Sequence, residues 1–262
     1  MAPLRVLIVL EFDVEHQCKS RKIPASALAL HTAAREDRVV DKKIILSVIA
    51  LVVAYFSFVL MQPDKAVNTG DTLPWNIAHP TPDTIRVFGV TLGQSTLADA
   101  EQTFKEQAEI VLFKSDDAKM AVEAFIEEVN FNGLKAKMVM TVAIPPEEMQ
   151  GMFDRGLRTS GTPSGKRITL AADDLERVRK APVASLTYLP AVRLEEAVLA
   201  KRFGTPSQRV RETRSGVVHW LYPQHGLDVV LGGSEKPLLQ YVSPRDFELL
   251  RTPLIANGEV LK

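Results

Sequence analysis

Three residues near the C-terminal end, His219, His225 and Asp228, carry donor atoms of the kind that bind zinc. Two imidazoles and a carboxylate are a common zinc set, but all three must converge on one point about 2 Å away. His219 falls in an apolar run that reads as a strand and His225 in the turn after it. That placement separates their side chains, so the expectation is surface histidines of a hairpin and no metal. The stretch Gly161-Thr162-Pro163-Ser164-Gly165-Lys166-Arg167 imitates a phosphate loop. It has three residues between its glycines where the motif needs four, and Arg167 where a Ser or Thr would hold magnesium. It reads as a loop, and no cofactor is expected. Glu127-Glu128 and Asp116-Asp117 are adjacent carboxylates, but neighbours along a strand point to opposite faces and share no proton. No nucleophile elbow, zincin helix or dinucleotide fingerprint occurs.

What remains is surface chemistry. Trp220 and Tyr222 fall on one face of a predicted strand, and Tyr241 lies near them on another. Aromatic anchors on an open sheet face hold protein partners, so these three are the candidate partner-binding residues. The competing reading is that they pack beneath helices.

The elements that must position these residues alternate short helices with strands. A strand is expected at Arg86–Val90, then a helix from Ser95 or Thr96 with Leu97, Ala100 and Phe104 at helical spacing and Thr96/Asp99 as a capping box. Ala121–Phe131 and Leu134–Ile144 are strands joined at Asn132-Gly133, the strongest short hairpin signal in the chain. Pro145-Pro146-Glu147-Glu148 opens a second helix, Arg158–Lys166 is a loop, and a third helix runs from Asp173 or Asp174 to Lys180. A fourth runs from Leu194 to Phe203, stopped by Gly204 and Pro206. Strands follow at Arg209–Thr213, Val217–Tyr222, Leu227–Leu231 and Leu238–Val242, and Ser243-Pro244 caps a closing helix. Leu-x-x-Ala at Leu97/Ala100 recurs at Leu194/Ala197, suggesting a degenerate tandem repeat.

Composition places these elements. The chain has 262 residues, 32 basic against 32 acidic side chains, and one cysteine. A balanced charge argues against a nucleic-acid partner, and the single Cys18 excludes a disulfide framework within the chain. The mean hydropathy of +0.01 is high beside 24% charged residues, and it traces to one uncharged run, Ile44–Met61. As a helix that run spans roughly 27 Å, close to a bilayer's ~30 Å hydrocarbon core. Arg35, Arg38, Lys42 and Lys43 precede it and Lys65 alone follows closely, which orients the N-terminus to the cytoplasm. No small-x-small cleavage site follows, so the run reads as an uncleaved single-pass anchor. Positions 1–61 hold eight basic and six acidic residues, leaving 24 against 26 in the exported part.

Leu194-Glu195-Glu196-Ala197-Val198, Phe203-Gly204-Thr205-Pro206, His219-Trp220-Leu221-Tyr222 and Leu227-Asp228-Val229-Val230-Leu231 resemble the SmpA/OmlA family of small outer-membrane lipoproteins. The resemblance covers roughly residues 189–242. It implies the helix-then-sheet fold shared with β-lactamase-inhibitory proteins, and an accessory role in outer-membrane β-barrel assembly through protein contacts. The family's lipidated cysteine is missing here, and the uncleaved anchor stands in its place.

The sequence therefore predicts an α+β protein, an N-terminal transmembrane helix followed by two helix-plus-antiparallel-sheet units. Its parts are a cytoplasmic tail at 1–43 (of which 1–39 reads as a mispredicted start or a disordered tail), the anchor at 44–61, a proline-containing linker at 62–84, and units at 85–188 and 189–262. The expected function is non-catalytic binding or scaffolding in the bacterial cell envelope, at the inner membrane with the C-terminal region periplasmic and an envelope protein as partner. The alternative is a tethered hydrolase whose carboxylates converge only in the fold.

Overall fold

The computed structural model describes residues 72–131, 133–232 and 236–261. The described chain opens with strands β1 (Ala78–Thr81), β2 (Thr84–Val87) and β3 (Val90–Thr91), which form a small antiparallel sheet. Helix α1 (Leu97–Phe104) leads into β4 (Glu109–Ser115), β5 (Met120–Phe131) and β6 (Leu134–Val142). Helix α2 (Pro146–Asp154), the hairpin β7 (Arg158–Thr162) and β8 (Gly165–Thr169), helix α3 (Ala172–Arg179) and strand β9 (Val183–Pro190) follow. Helix α4 (Glu196–Phe203) then precedes β10 (Gln208–Glu212), β11 (Val218–Tyr222), β12 (Leu227–Leu231) and β13 (Leu238–Val242). Helix α5 (Phe247–Asn257) and β14 (Gly258–Leu261) close the chain.

Strands β4 to β14 make one sheet of eleven strands in the order β14-β10-β11-β12-β13-β9-β6-β5-β4-β8-β7, every pairing antiparallel. This corrects the expected fold class. The architecture is mainly antiparallel β, and the two expected helix-plus-sheet units are halves of one sheet, joined where β13 pairs with β9. One apolar cluster runs from Ile85 to Tyr241 and includes residues of both halves. The expected membrane-spanning helix at 44–61 lies outside the described residues. Among the described residues no helix is long and apolar enough to cross a membrane.

Local rules act where expected. Thr96 Oγ1 accepts from the Asp99 amide and Asp99 Oδ2 accepts from the Thr96 amide, completing the capping box of α1. Phe131 pairs with Leu134 across the turn that holds Gly133, whose φ of +88° a glycine adopts without strain. Two readings are corrected. Arg158–Lys166, expected as a loop, is β7 and its turn into β8; as an edge strand rich in Thr, Ser and Gly it lacks the alternation that marks a half-buried strand. The last part of the expected linker belongs to the fold. Trp75 packs against the core, and the Pro74 carbonyl accepts the Tyr241 hydroxyl proton at 2.7 Å.

The two faces of the large sheet are unlike. Helices α1 to α4 contribute Leu97, Ala100, Met152, Val178, Leu199 and Phe203 to the main core on the first face. The second face has its own smaller cluster, in which Phe247 and Leu250 of α5 meet Val210, Leu221 and Val242.

Candidate functional site

The three aromatic candidates share a face, but it is the face beneath the helices. Tyr222 pairs with Leu227 and Leu227 with Tyr241, so both tyrosines stand in one cross-strand row. Both are fully buried, and Trp220 nearly so. Each phenol proton goes to a backbone carbonyl, Tyr222 to Gly204 at 3.0 Å and Tyr241 to Pro74. Phe203 of α4 lies 5.9 Å from the Tyr222 ring, Phe88 meets Tyr241 edge-on at 5.8 Å, and Arg209 caps Trp220 at 4.8 Å. Burial pushes the pKa of both tyrosines above the ordinary phenol value. These residues fasten helices and the N-terminal segment to the sheet, which corrects their reading as an exposed anchor. Alternation assigned Trp220 and Tyr222 to one face correctly, but helix packing decides which face is covered.

The apparent metal triad is split. His219 donates from Nδ1 to Asp228 Oδ2 at 2.8 Å, while His225 stands beside His79. His219 is buried, against its reading as a surface residue. Burial opposes its protonation, but the hydrogen bond and charge of Asp228, with Glu212 adding, hold its pKa above the usual imidazole value. Among the described residues no group of three or more His, Cys, Asp or Glu side chains is placed to hold an ion. Glu127 and Glu128 are paired with Lys137 and Lys135 across the β5–β6 hairpin, and Arg167 of the false phosphate loop bonds Glu109 at 2.6 Å.

The unusual chemistry lies on the second face. Register aligns one row across eight strands: Gln208, Leu221, Asp228, Gln240, Thr187, Val139, Phe125, Glu109. The next row is Val242, Ser185, Thr141, Glu123, Val111. Six polar residues in these rows, Asp228, Gln240, Thr187, Ser185, Thr141 and Glu123, are buried. Such positions alternate with core residues along each strand and read from sequence as solvated, so that of the six only Asp228 carries a signal in the sequence. Asp228 is 1% and Gln240 5% exposed, and they stand directly opposite one another. Asp228 Oδ1 and Gln240 Nε2 nevertheless have no hydrogen-bond partner. Each such orphan costs about 1–3 kcal/mol. Burial raises the Glu123 carboxyl to about 7, against the pull of the Arg167 charge.

Glu123 and Asp228 do not form a paired-carboxylate site. Glu123 on β5 and Asp228 on β12 are four strands apart, roughly 19 Å at the usual strand spacing, far beyond the ~5–9.5 Å of a glycosidase pair. His219 has the Asp partner of a catalytic base, and its cross-strand neighbours are Val210 and Val230. The face carries a buried polar row bracketed by half-buried Phe125, Val139, Val230 and Leu238. In comparisons with known proteins, no family model, no curated protein and no solved structure matches the chain.

Proposed function

We propose that this protein is a non-catalytic binding or scaffolding protein of the bacterial cell envelope, and that the second face of its large sheet receives a protein partner. The observation that carries the reading is the set of half-buried apolar side chains, Phe125, Val139, Val230 and Leu238, that brackets the buried polar row of this face. Apolar side chains around a polar centre suit a protein interface, whose rim and core mix both characters. The envelope assignment rests on sequence: the uncharged run Ile44–Met61, the basic residues before it, and the motif residues that resemble the SmpA/OmlA family. On this reading the protein is held at the inner membrane with its C-terminal region periplasmic.

Photo-cross-linking in living bacteria tests the reading. A cross-linking amino acid at Phe125 or Val139 is expected to capture an envelope protein, identified by mass spectrometry, whereas one at exposed Glu176 on α3 is not. Equal capture from all three positions, or capture from Glu176 alone, would overturn it. Reporter fusions at both ends check the membrane orientation.

A further inference from the structure

His79 and His225 are 146 residues apart in the chain and meet at the surface. His79 lies on β1, an exposed strand, and His225 ends the 3-10 turn between β11 and β12. His79 Nε2 and His225 Nδ1 are 3.2 Å apart, with ring centroids at 5.4 Å and planes tilted by 37°. Two neutral imidazoles meet this contact with one N–H···N hydrogen bond. The same spacing suits a shared cation, since two nitrogens each ~2.0–2.1 Å from a tetrahedral zinc lie about 3.3 Å apart. Both backbones are held in place. Gly226, next to His225, sits against the Val242 carbonyl and accepts from the Val242 amide at 2.8 Å. Strand β1 is paired with β2, whose Ile85 and Val87 are core residues.

We infer that His79 and His225 form a two-imidazole site for a borderline divalent transition metal, Zn²⁺ or Cu²⁺, which staples the N-terminal hairpin to the β11–β12 turn. The donor set selects the metal class. Imidazole suits zinc and copper, while Mg²⁺ and Ca²⁺ require oxygen ligands. With two protein ligands the remaining coordination positions go to water, or to a ligand from a partner.

Metal-free full-length protein in detergent provides the test, with ZnCl₂ as the probe. Calorimetry is expected to show one Zn²⁺ per chain and thermal denaturation a higher Tm, with no response to MgCl₂. His79→Ala and His225→Ala should each weaken binding at least tenfold and cancel the Tm rise, with unchanged circular dichroism. His79 is exposed, so its variant keeps the test valid even if the other fails to fold. With Cu²⁺, the electron paramagnetic resonance spectrum should show two coupled imidazole nitrogens in the wild type and one in a single variant. Absence of Zn²⁺ binding at millimolar concentration would overturn the inference. So would binding that survives the double variant, which would move the ion to other donors such as His16, Cys18 or His31.

Discussion

His219 donates its Nδ1 proton to Oδ2 of Asp228 at 2.8 Å across β11 and β12, and the other oxygen of that carboxylate, Oδ1, is buried without a partner. The sheet thus holds a half-satisfied ion pair on the face where α5 packs, beside an equally orphaned amide nitrogen of Gln240. An arrangement of this kind ties stability to pH.

The first prediction concerns that pair. The His219 pKa is raised in the folded protein because the Asp228 partner outweighs burial. Stability from this source is fully present below the unfolded value of about 6.5 and is lost as pH rises through the higher folded value. Urea unfolding should therefore show a decline above about pH 6.5. Asp228→Asn should abolish the His219 share of that decline and cost about 3–5 kcal/mol in mildly acidic buffer, the usual penalty for breaking a buried pair. An unchanged pH slope in Asp228→Asn would separate the decline from this pair.

Glu123 acts in the same direction at lower pH. Burial lifts its carboxyl from 4.5 to about 7, so folding favours the protonated form. Stability is full below about 4.5 and falls by about 3 kcal/mol as pH passes through 7. Glu123→Gln keeps the shape without the charge. Its unfolding free energy should exceed the wild type's above pH 7 and lack this step, as parallel denaturation curves would register.

Glycines with positive φ divide into costly and cheap positions. A Cβ on Gly226 would lie 1.9 Å from the Val242 carbonyl oxygen, at φ +55°. Gly133 has φ +88° with nothing within 4 Å of such a Cβ. Gly133→Ala should cost about 1 kcal/mol from backbone strain alone. Gly226→Ala must also displace backbone, and should lower stability by more than about 3 kcal/mol. Chemical denaturation of both variants checks the order.

Trp220 and Tyr241 now predict loss of fold instead of loss of a partner. Trp220→Ala should cost about 3–5 kcal/mol by opening the main core. Tyr241→Phe leaves the buried Pro74 carbonyl without its donor and should cost about 1–3 kcal/mol. Amide exchange near residues 74–77 should quicken in Tyr241→Phe more than in the rest of the sheet. Uniform acceleration would mean the hydroxyl serves the whole fold.

Sequence alone determined the parts of this protein that obey short-range physics. Thr96 and Asp99 are three residues apart, and their reciprocal bonds need nothing beyond one helical turn. Gly133 with its flanking strands is set by turn chemistry, and the even spacing of Trp220 and Tyr222 put them on one side of a strand. Tertiary structure decided the rest. A period of two distinguishes two faces without saying which one helices will cover, so the aromatic side became core and the polar row became the candidate site. Strand order is equally non-local: β13 pairs with β9, which precedes it by about fifty residues, and turns two expected units into one sheet. His79 meets His225 only because the N-terminal hairpin and a distant turn come together on that sheet. Such contacts depend on the closure of long loops and on the packing of whole elements, neither of which is written in the spacing of neighbouring residues.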